Sequence, residues 1–472
     1  MRREHDLLGY RKLPDDVYYG IQTLRAVENF PITGLRVHPA LLKALALVKR
    51  AAALANMEIG MLAPHIGEAI VAACREIEEG QLLDQFVTDP IQGGAGTSIN
   101  MNMNEVVANR AIELLGGRRG DYLLVHPNTH VNMSQSTNDV IPTAVRLALL
   151  RILDGTVPAL NALSEEFSRL AGRYDSVVKL GRTHLQDAVP IRIGQEFAAY
   201  ARVILRDAER IEKSRDCLLT VNMGATAVGT GLNADPEYIE KVLSHLKALS
   251  GYDFVGAEDL VDATQNVDHL VAVSAAFKSA AVNLSKIASD LRLMASGPRG
   301  GLGEITVPPV QPGSSIMPGK INPVLAETVN QVAFQIVGSD VTVALAAQSG
   351  QLELNVMQPV LIHNLLHSAD MLRNVVTVFR EKCVQGIVVN VERCQEHLAK
   401  SVGIVTALSP HIGYDKASLV AKAALEQNRS VAEIVLEKGI LTEEELAIIL
   451  RPRELTEPGI AGRELWDKGR GK

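Results

Sequence analysis

The chain has 472 residues, enough for two or three domains and a sizeable buried core. A net charge of −7 argues against nucleic acid as the main partner, because phosphate binding calls for a basic surface. No apolar run approaches the roughly 20 residues of a membrane span, and Met1-Arg2-Arg3-Glu4-His5-Asp6 lacks the apolar stretch of a signal peptide, so no membrane contact and a cytoplasmic location are expected.

Residues 1–137 read as a mixed, mostly helical domain with short elements and a glycine-rich segment at 93–96. Residues 138–392 read as a central domain of long helices, with helical spacing over about 139–173, 190–220, 262–296 and 324–350. The third run is the clearest. Leu270, Val273, Phe277, Ala281, Leu284, Ala288 and Leu291 recur every three or four residues until Gly297-Pro298 stops them. A run of that length is a rod of roughly 50 Å. Aromatic residues are only 4 % of the chain, so such rods can pack closely as a bundle. They outrun the core of one subunit, and oligomerisation is the expected cover for the remaining apolar faces. Residues 393–472 read as a small C-terminal helical domain, in which Ser430 to Glu433 and Thr442 to Glu445 match the capping box. The tail after Arg453 reads as polar and loose.

Cys74, Cys217, Cys383 and Cys394 are scattered and fit reduced, mostly buried thiols. No metal site is expected. Cys394 and His397 form a lone pair with no second pair at zinc spacing. His363 and His367 are four apart, but His-Asn-Leu-Leu-His lacks the general-base Glu of a zinc protease, so packing is their expected role. His126 and His130 are expected at the surface.

Four polar segments interrupt the helices. Gly93 to Asn102 offers small residues, Thr97 and Ser98, and free backbone amides; its glycine spacing is wrong for a dinucleotide, and a plain turn is an equal reading. Ser134-Gln135-Ser136-Thr137-Asn138-Asp139 precedes a long helix. One such residue suffices for an N-cap; the run also makes a seat for a carboxylate. Gly181-Arg182-Thr183-His184-Leu185-Gln186-Asp187 places a cation, a hydroxyl and an imidazole side by side, which fits an anion site as well as a structural loop. Gly313-Ser314-Ser315-Ile316-Met317-Pro318-Gly319-Lys320-Ile321-Asn322 fails as a phosphate loop, because five residues separate its glycines and Ile follows the Lys. It remains a glycine-flanked segment suited to close over a small anion.

Taken in order, these segments resemble the aspartase/fumarase superfamily, and Gly313 to Asn322 resembles its GSSxMPxKxN signature. The resemblance runs from Asp6-Leu7-Leu8-Gly9 to Leu450-Arg451-Pro452. Asp16 to Phe30, Gln92 to Thr97, Gln135 to Asn138 and Asn222 to Ala227 are similar to aspartases rather than class II fumarases, whereas His184 is common to both.

The resemblance implies a mainly all-α subunit of three domains that tetramerises through its bundle, with each site built from three chains. It implies reversible removal of ammonia from L-aspartate to give fumarate, without metal or organic cofactor. Ser314 is the implied general base. Thr97, Ser136, Thr137 and Ser315 are the implied donors to an enediolate. Lys320, Asn322 and Thr183 would hold the α-carboxylate, while Asn138 and His184 would contact the amino group. Glu327 matches the acidic partner of the loop histidine; an exposed acid at a helix start is the competing reading. Fumarate hydration is the alternative within this chemistry, and a catalytically silent structural or binding protein on the same scaffold is the alternative outside it.

Overall fold

The computed structural model describes residues 1–469. They are mostly helical, and their extended strands form four two-stranded sheets. Helices appear early: α1 spans Pro39–Glu58 and α2 spans Thr97–Leu114. Both are longer than the short elements expected there. The reason is visible in α1, whose Leu and Ala residues are buried around most of the helix, so that no apolar stripe stands out.

Five long helices follow: α3 (Thr137–Arg173), α4 (Ile193–Ser214), α5 (Asp268–Met294), α6 (Val324–Gln348) and α7 (Gln358–Lys382). The first four match the expected runs; α7 was not anticipated. The run expected from residue 262 is broken. A short helix, Leu260–Gln265, ends at Asn266, whose extended φ/ψ of −100°/143° forces a restart at Asp268. α3 holds 37 residues, about 55 Å of rod.

The described residues pack as two compact units. The first comprises Met1–Pro158, Asp207–Val282 and Val332–Asn374; the second comprises Ala159–Arg206, Asn283–Gln331 and the chain from Val375 on. Within the first, Ser274 of α5 donates to Asp340 of α6 at 2.8 Å, and Lys278 pairs with the same carboxylate. Within the second, Asn330 of α6 donates to the Ser285 carbonyl of α5 at 2.9 Å. Rising numbers on one helix meet falling numbers on the other, so α5 and α6 are antiparallel neighbours. The second unit also buries Phe167 and Phe197 beside Tyr200.

α6 leaves Phe334, Val341 and Leu345 exposed, at seven- and four-residue spacing on one face. α5 and α6 are the two described helices with the length and hydropathy of a membrane span, and about half of each such stretch is already buried in the fold. This corrects the expectation that no stretch comes near that length. Their shared Ser274–Lys278–Asp340 cluster is an expensive feature to place in lipid and fits helix packing instead.

The C-terminal helices enclose their own core around Leu408, Val420, Val431, Val435 and Ile449. Both capping boxes form, at Ser430 with Glu433 and at Thr442 with Glu445. The tail is more structured than expected. It forms helices Pro452–Thr456 and Glu464–Gly469, and Trp466 Nε1 donates to His411 Nδ1 at 3.1 Å. The last three residues of the expected C-terminal domain lie outside the described residues. All four cysteines are free, with Cys74, Cys383 and Cys394 buried and Cys217 half-buried.

Candidate active site

The first unit assembles one group of expected site residues where α2 and α3 begin. Thr97 is the first residue of α2, and its hydroxyl donates to the Gly94 carbonyl at 2.7 Å. Asn100, one turn on, donates to Thr137 Oγ1 at 3.2 Å and so ties the starts of the two helices together. Ser136 stands just before α3, and its Oγ accepts the Asn138 N–H at 3.2 Å. Asn138 is held on both sides: its side chain donates to the Ala227 carbonyl at 2.7 Å, and its carbonyl accepts from Asn222 at 3.0 Å. The segment from Asn222 to Ala227 thus lies beside the α3 N-terminus, which carries the positive end of a 37-residue helix dipole.

Behind these residues lies a polar layer that the sequence reading missed. Asp139 is fully buried; its Oδ1 accepts the Ser136 N–H at 2.9 Å and its Oδ2 accepts the Thr226 N–H at 3.1 Å. Lys49, in the middle of apolar α1, is also fully buried and donates to Asn132 Oδ1 at 2.8 Å. The same oxygen accepts from Asn100 and Asn104, each at 3.1 Å. Burial pushes the Lys49 ammonium down and the Asp139 carboxyl up, while their mutual attraction opposes both shifts. The Lys49-Arg50 pair inside an otherwise apolar Ala- and Leu-rich run was the available sequence signal, since a lysine is rarely buried without a task.

The second unit carries the other residues on two segments. Strands β1 (Val178–Thr183) and β2 (Gln186–Arg192) form an antiparallel hairpin whose two-residue turn is His184-Leu185. Both have positive φ, 56° and 59°, in a turn that ordinarily takes Asn and Gly. Each costs on the order of 1 kcal/mol relative to a glycine there. Thr183 and His184 are exposed there. Gly181 sits at a register shift in β1, where a Cβ would come within 2.5 Å of the Val189 carbonyl oxygen.

The signature segment follows strand β3 (Ile305–Thr306), which pairs antiparallel with β4 (Val388–Val389). It closes on itself. Gly313 N–H donates to the Lys320 carbonyl at 2.8 Å, and Asn322 Nδ2 donates to the Gly313 carbonyl at 2.7 Å. Any side chain at Gly313 would meet the Lys320 carbonyl oxygen at 2.5 Å. Ser314 Oγ accepts two backbone N–H groups, from Ile316 at 3.3 Å and Met317 at 3.1 Å. This is a local serine turn, with both amides directed at the hydroxyl oxygen. Ser315 and Lys320 are exposed on the same segment. Glu327 lies in the first turn of α6, with Arg292 at 4.0 Å as its ionic neighbour.

Several histidines lie outside both groups. His126 and His130 are half-buried rather than at the surface, because His126 Nδ1 accepts the Asn128 and Thr129 amides and His130 Nδ1 accepts the His126 amide. His363 and His367 pack edge to face at 4.5 Å, and His367 packs on His38 at 4.9 Å, in the packing role expected of them.

The sequence pattern of the family described as lyase matches residues 9–338, which include every one of these site residues, and that described as fumarase C C-terminus matches residues 404–457. The chain belongs to the aspartase/fumarase superfamily. Within that superfamily it is 57 % identical to an aspartate ammonia-lyase of Bacillus subtilis, covering 99 % of this chain and 98 % of the relative. A solved fumarate lyase:delta crystallin from Brucella melitensis, bound to cobalt, superposes with a TM-score of 0.93 at 50 % identity, covering 97 % of this chain and 100 % of that one. A class II fumarase from Schistosoma mansoni superposes at 0.91 with 37 % identity, covering 97 % and 99 %.

Proposed function

We propose that the chain is an aspartate ammonia-lyase, which converts L-aspartate reversibly to fumarate and ammonia. The observation that carries this reading is the gradient among superfamily members: 57 % identity to an aspartate ammonia-lyase against 37 % to a class II fumarase, both over nearly the full chain.

The chemistry follows from where charge develops. Loss of the C3 proton puts a second negative charge on the neighbouring carboxylate, so the main catalytic task is to stabilise an enediolate with preset donors. Thr97, Ser136, Thr137 and Ser315 supply hydroxyls, and the α3 N-terminus supplies the positive end of its dipole. Ser314 takes the proton. The two backbone N–H groups on its oxygen support an alkoxide, and Lys320 adds a cation on the same segment. Lys320, Asn322 and Thr183 hold the α-carboxylate, and Asn138 and His184 contact the departing amino group. Glu327 supports His184 across chains. The carboxylate itself is the electron sink, so the scheme calls on neither metal nor organic cofactor.

The functional form is a homotetramer with each site drawn from three chains, located in the cytoplasm. Two features support the shared site. Ser136 immediately precedes the 37-residue α3 while Thr183 follows its end, and α6 presents the exposed Phe334–Val341–Leu345 face. In functional terms the chain divides into an N-terminal part (1–137), the central bundle (138–392) and a small C-terminal part (393–472). Purified protein with L-aspartate, followed by the ultraviolet absorbance of fumarate, tests the reading. Steady fumarate formation supports it; inert aspartate with active L-malate would move the assignment to a fumarase.

A further inference from the structure

Glu304 has no solvent-accessible surface, and cationic side chains surround its carboxylate. Oε1 accepts from Arg182 at 2.6 Å and lies 3.2 Å from His397 Nδ1, while Oε2 pairs with Lys179 Nζ at 2.7 Å. Lys179 and Arg182 are three residues apart on β1. In a regular strand, residues of opposite parity point to opposite faces. The register shift between Leu180 and Arg182 reverses that parity, so both cations reach one carboxylate. Gly181 lets the backbone make this shift, and Arg182 is the neighbour of Thr183 and His184.

The backbone of Glu304 is equally fixed. Its N–H donates to the Met294 carbonyl at the end of α5, and its own carbonyl accepts the Asn390 N–H, both at 2.9 Å. Glu304 directly precedes β3, from which the chain runs on to Ser314. We propose that Glu304 is a positioning residue for the reaction: through Arg182 and Lys179 it holds the Thr183–His184 turn fixed against the body of its own subunit, from which the turn reaches the site it serves. The register shift at Gly181 gathers both cations on this carboxylate directly beside Thr183 and His184. The kinetic part of this inference rests on the proposed function; the structural part does not.

The test compares Glu304→Gln, Glu304→Asp, Arg182→Met and the Glu304→Gln/Arg182→Met double variant as assembled proteins. Glu113→Gln serves as the control, because Glu113 also binds two arginines, Arg110 and Arg119, at the end of α2 opposite Thr97. Hydrogen–deuterium exchange of peptide 178–192 is read first. It should rise about 10–100-fold in Glu304→Gln and Arg182→Met, the effect of losing a charged hydrogen bond, and stay unchanged in the control. KM for L-aspartate should rise by a similar factor, with the double variant no worse than the more severe single one. Glu304→Asp should recover part of the loss. If Glu304→Gln does not assemble, the part-exposed Arg182→Met carries the same two readouts. Hairpin exchange and KM at wild-type level in a folded Arg182→Met or Glu304→Gln protein would overturn the proposal. So would equal changes in the Glu113→Gln control. A wild-type protein inert towards aspartate would refute the functional reading alone, leaving the exchange result to decide the role of Glu304.

Discussion

Asp139 accepts the backbone N–H of Ser136 at 2.9 Å from a position with no solvent exposure. Its second oxygen takes the Thr226 N–H, so one carboxylate joins the start of α3 to the segment that holds Asn138. Asp139→Asn keeps the size but offers only one accepting oxygen and turns an NH2 towards an N–H. It also removes the attraction that opposes the burial-driven downward shift of Lys49. Activity should fall by about 10–100-fold, the effect of leaving buried polar groups unsatisfied, and the melting temperature should drop by several degrees. Steady-state kinetics with a thermal melt checks both. Full activity in this variant would mean that the Ser136 segment is held by other contacts.

Ser314→Ala and Lys320→Met should separate proton abstraction from binding. The first removes one oxygen and leaves the carboxylate-holding groups in place, so KM should change little. Turnover should fall by roughly 10²–10⁴-fold, the range for loss of a general base. The second should weaken both, because an ammonium on the α-carboxylate acts in the ground state as well. Exchange of the C3 proton with solvent, measured beside turnover, is the decisive readout. Near-normal exchange in Ser314→Ala would reassign the base, with His184 the next residue to test.

Acid should destabilise the protein through its buried histidines. Burial and the nearby Arg146 hold His269 down to about 3 from an ordinary 6.5, and burial with His363 and His38 holds His367 down to about 4. Both are neutral in the fold. Below pH 6.5 the unfolded chain takes up protons that the folded chain refuses, so stability falls with pH until the folded values are reached. For His269 the slope approaches about 1.4 kcal/mol per pH unit between pH 6.5 and 3. Half-buried His367 acts in the same direction with a smaller slope, because solvent screens it. Denaturant midpoints at pH 7.5, 6 and 5 should decline for wild type and decline less for His269→Gln. Parallel curves for the two proteins would contradict this account.

Subunit mixing tests the shared site. Ser136→Ala and Thr183→Ala tetramers should each be weakly active. Exchange between them should restore activity, because some mixed sites draw both residues from intact chains. A fully active monomer in sedimentation, or no recovery despite verified exchange, would place the whole site in one chain.

Most of the long helices were legible because their apolar residues recur on one face: α5 shows this from Leu270 to Leu291. α1 was not, because a helix buried on nearly all sides has no stripe to detect. The break at Asn266 was hidden too, since residues on either side keep a helix-compatible spacing across a two-residue interruption. Apart from Glu327 in the first turn of α6, the expected site residues lie in segments rich in hydroxyls, amides and glycine, which stand out in an apolar chain. The residues behind them do not. Lys49 lies 90 positions from Asp139, and Glu304 lies 122 from Arg182, so only folding brings each set together. The role of Gly181 depends on a register shift, which composition does not encode.

The central claim is that the enediolate formed here is partnered by ammonia rather than water. Fumarate offered in water with ammonium ion and no other reactant gives both outcomes an equal opportunity, and the product is read by chromatography or proton NMR. The account predicts L-aspartate as the dominant product, formed at a rate that rises with ammonium concentration, with L-malate at trace level. L-Malate as the dominant product, formed at a rate indifferent to ammonium, would contradict it.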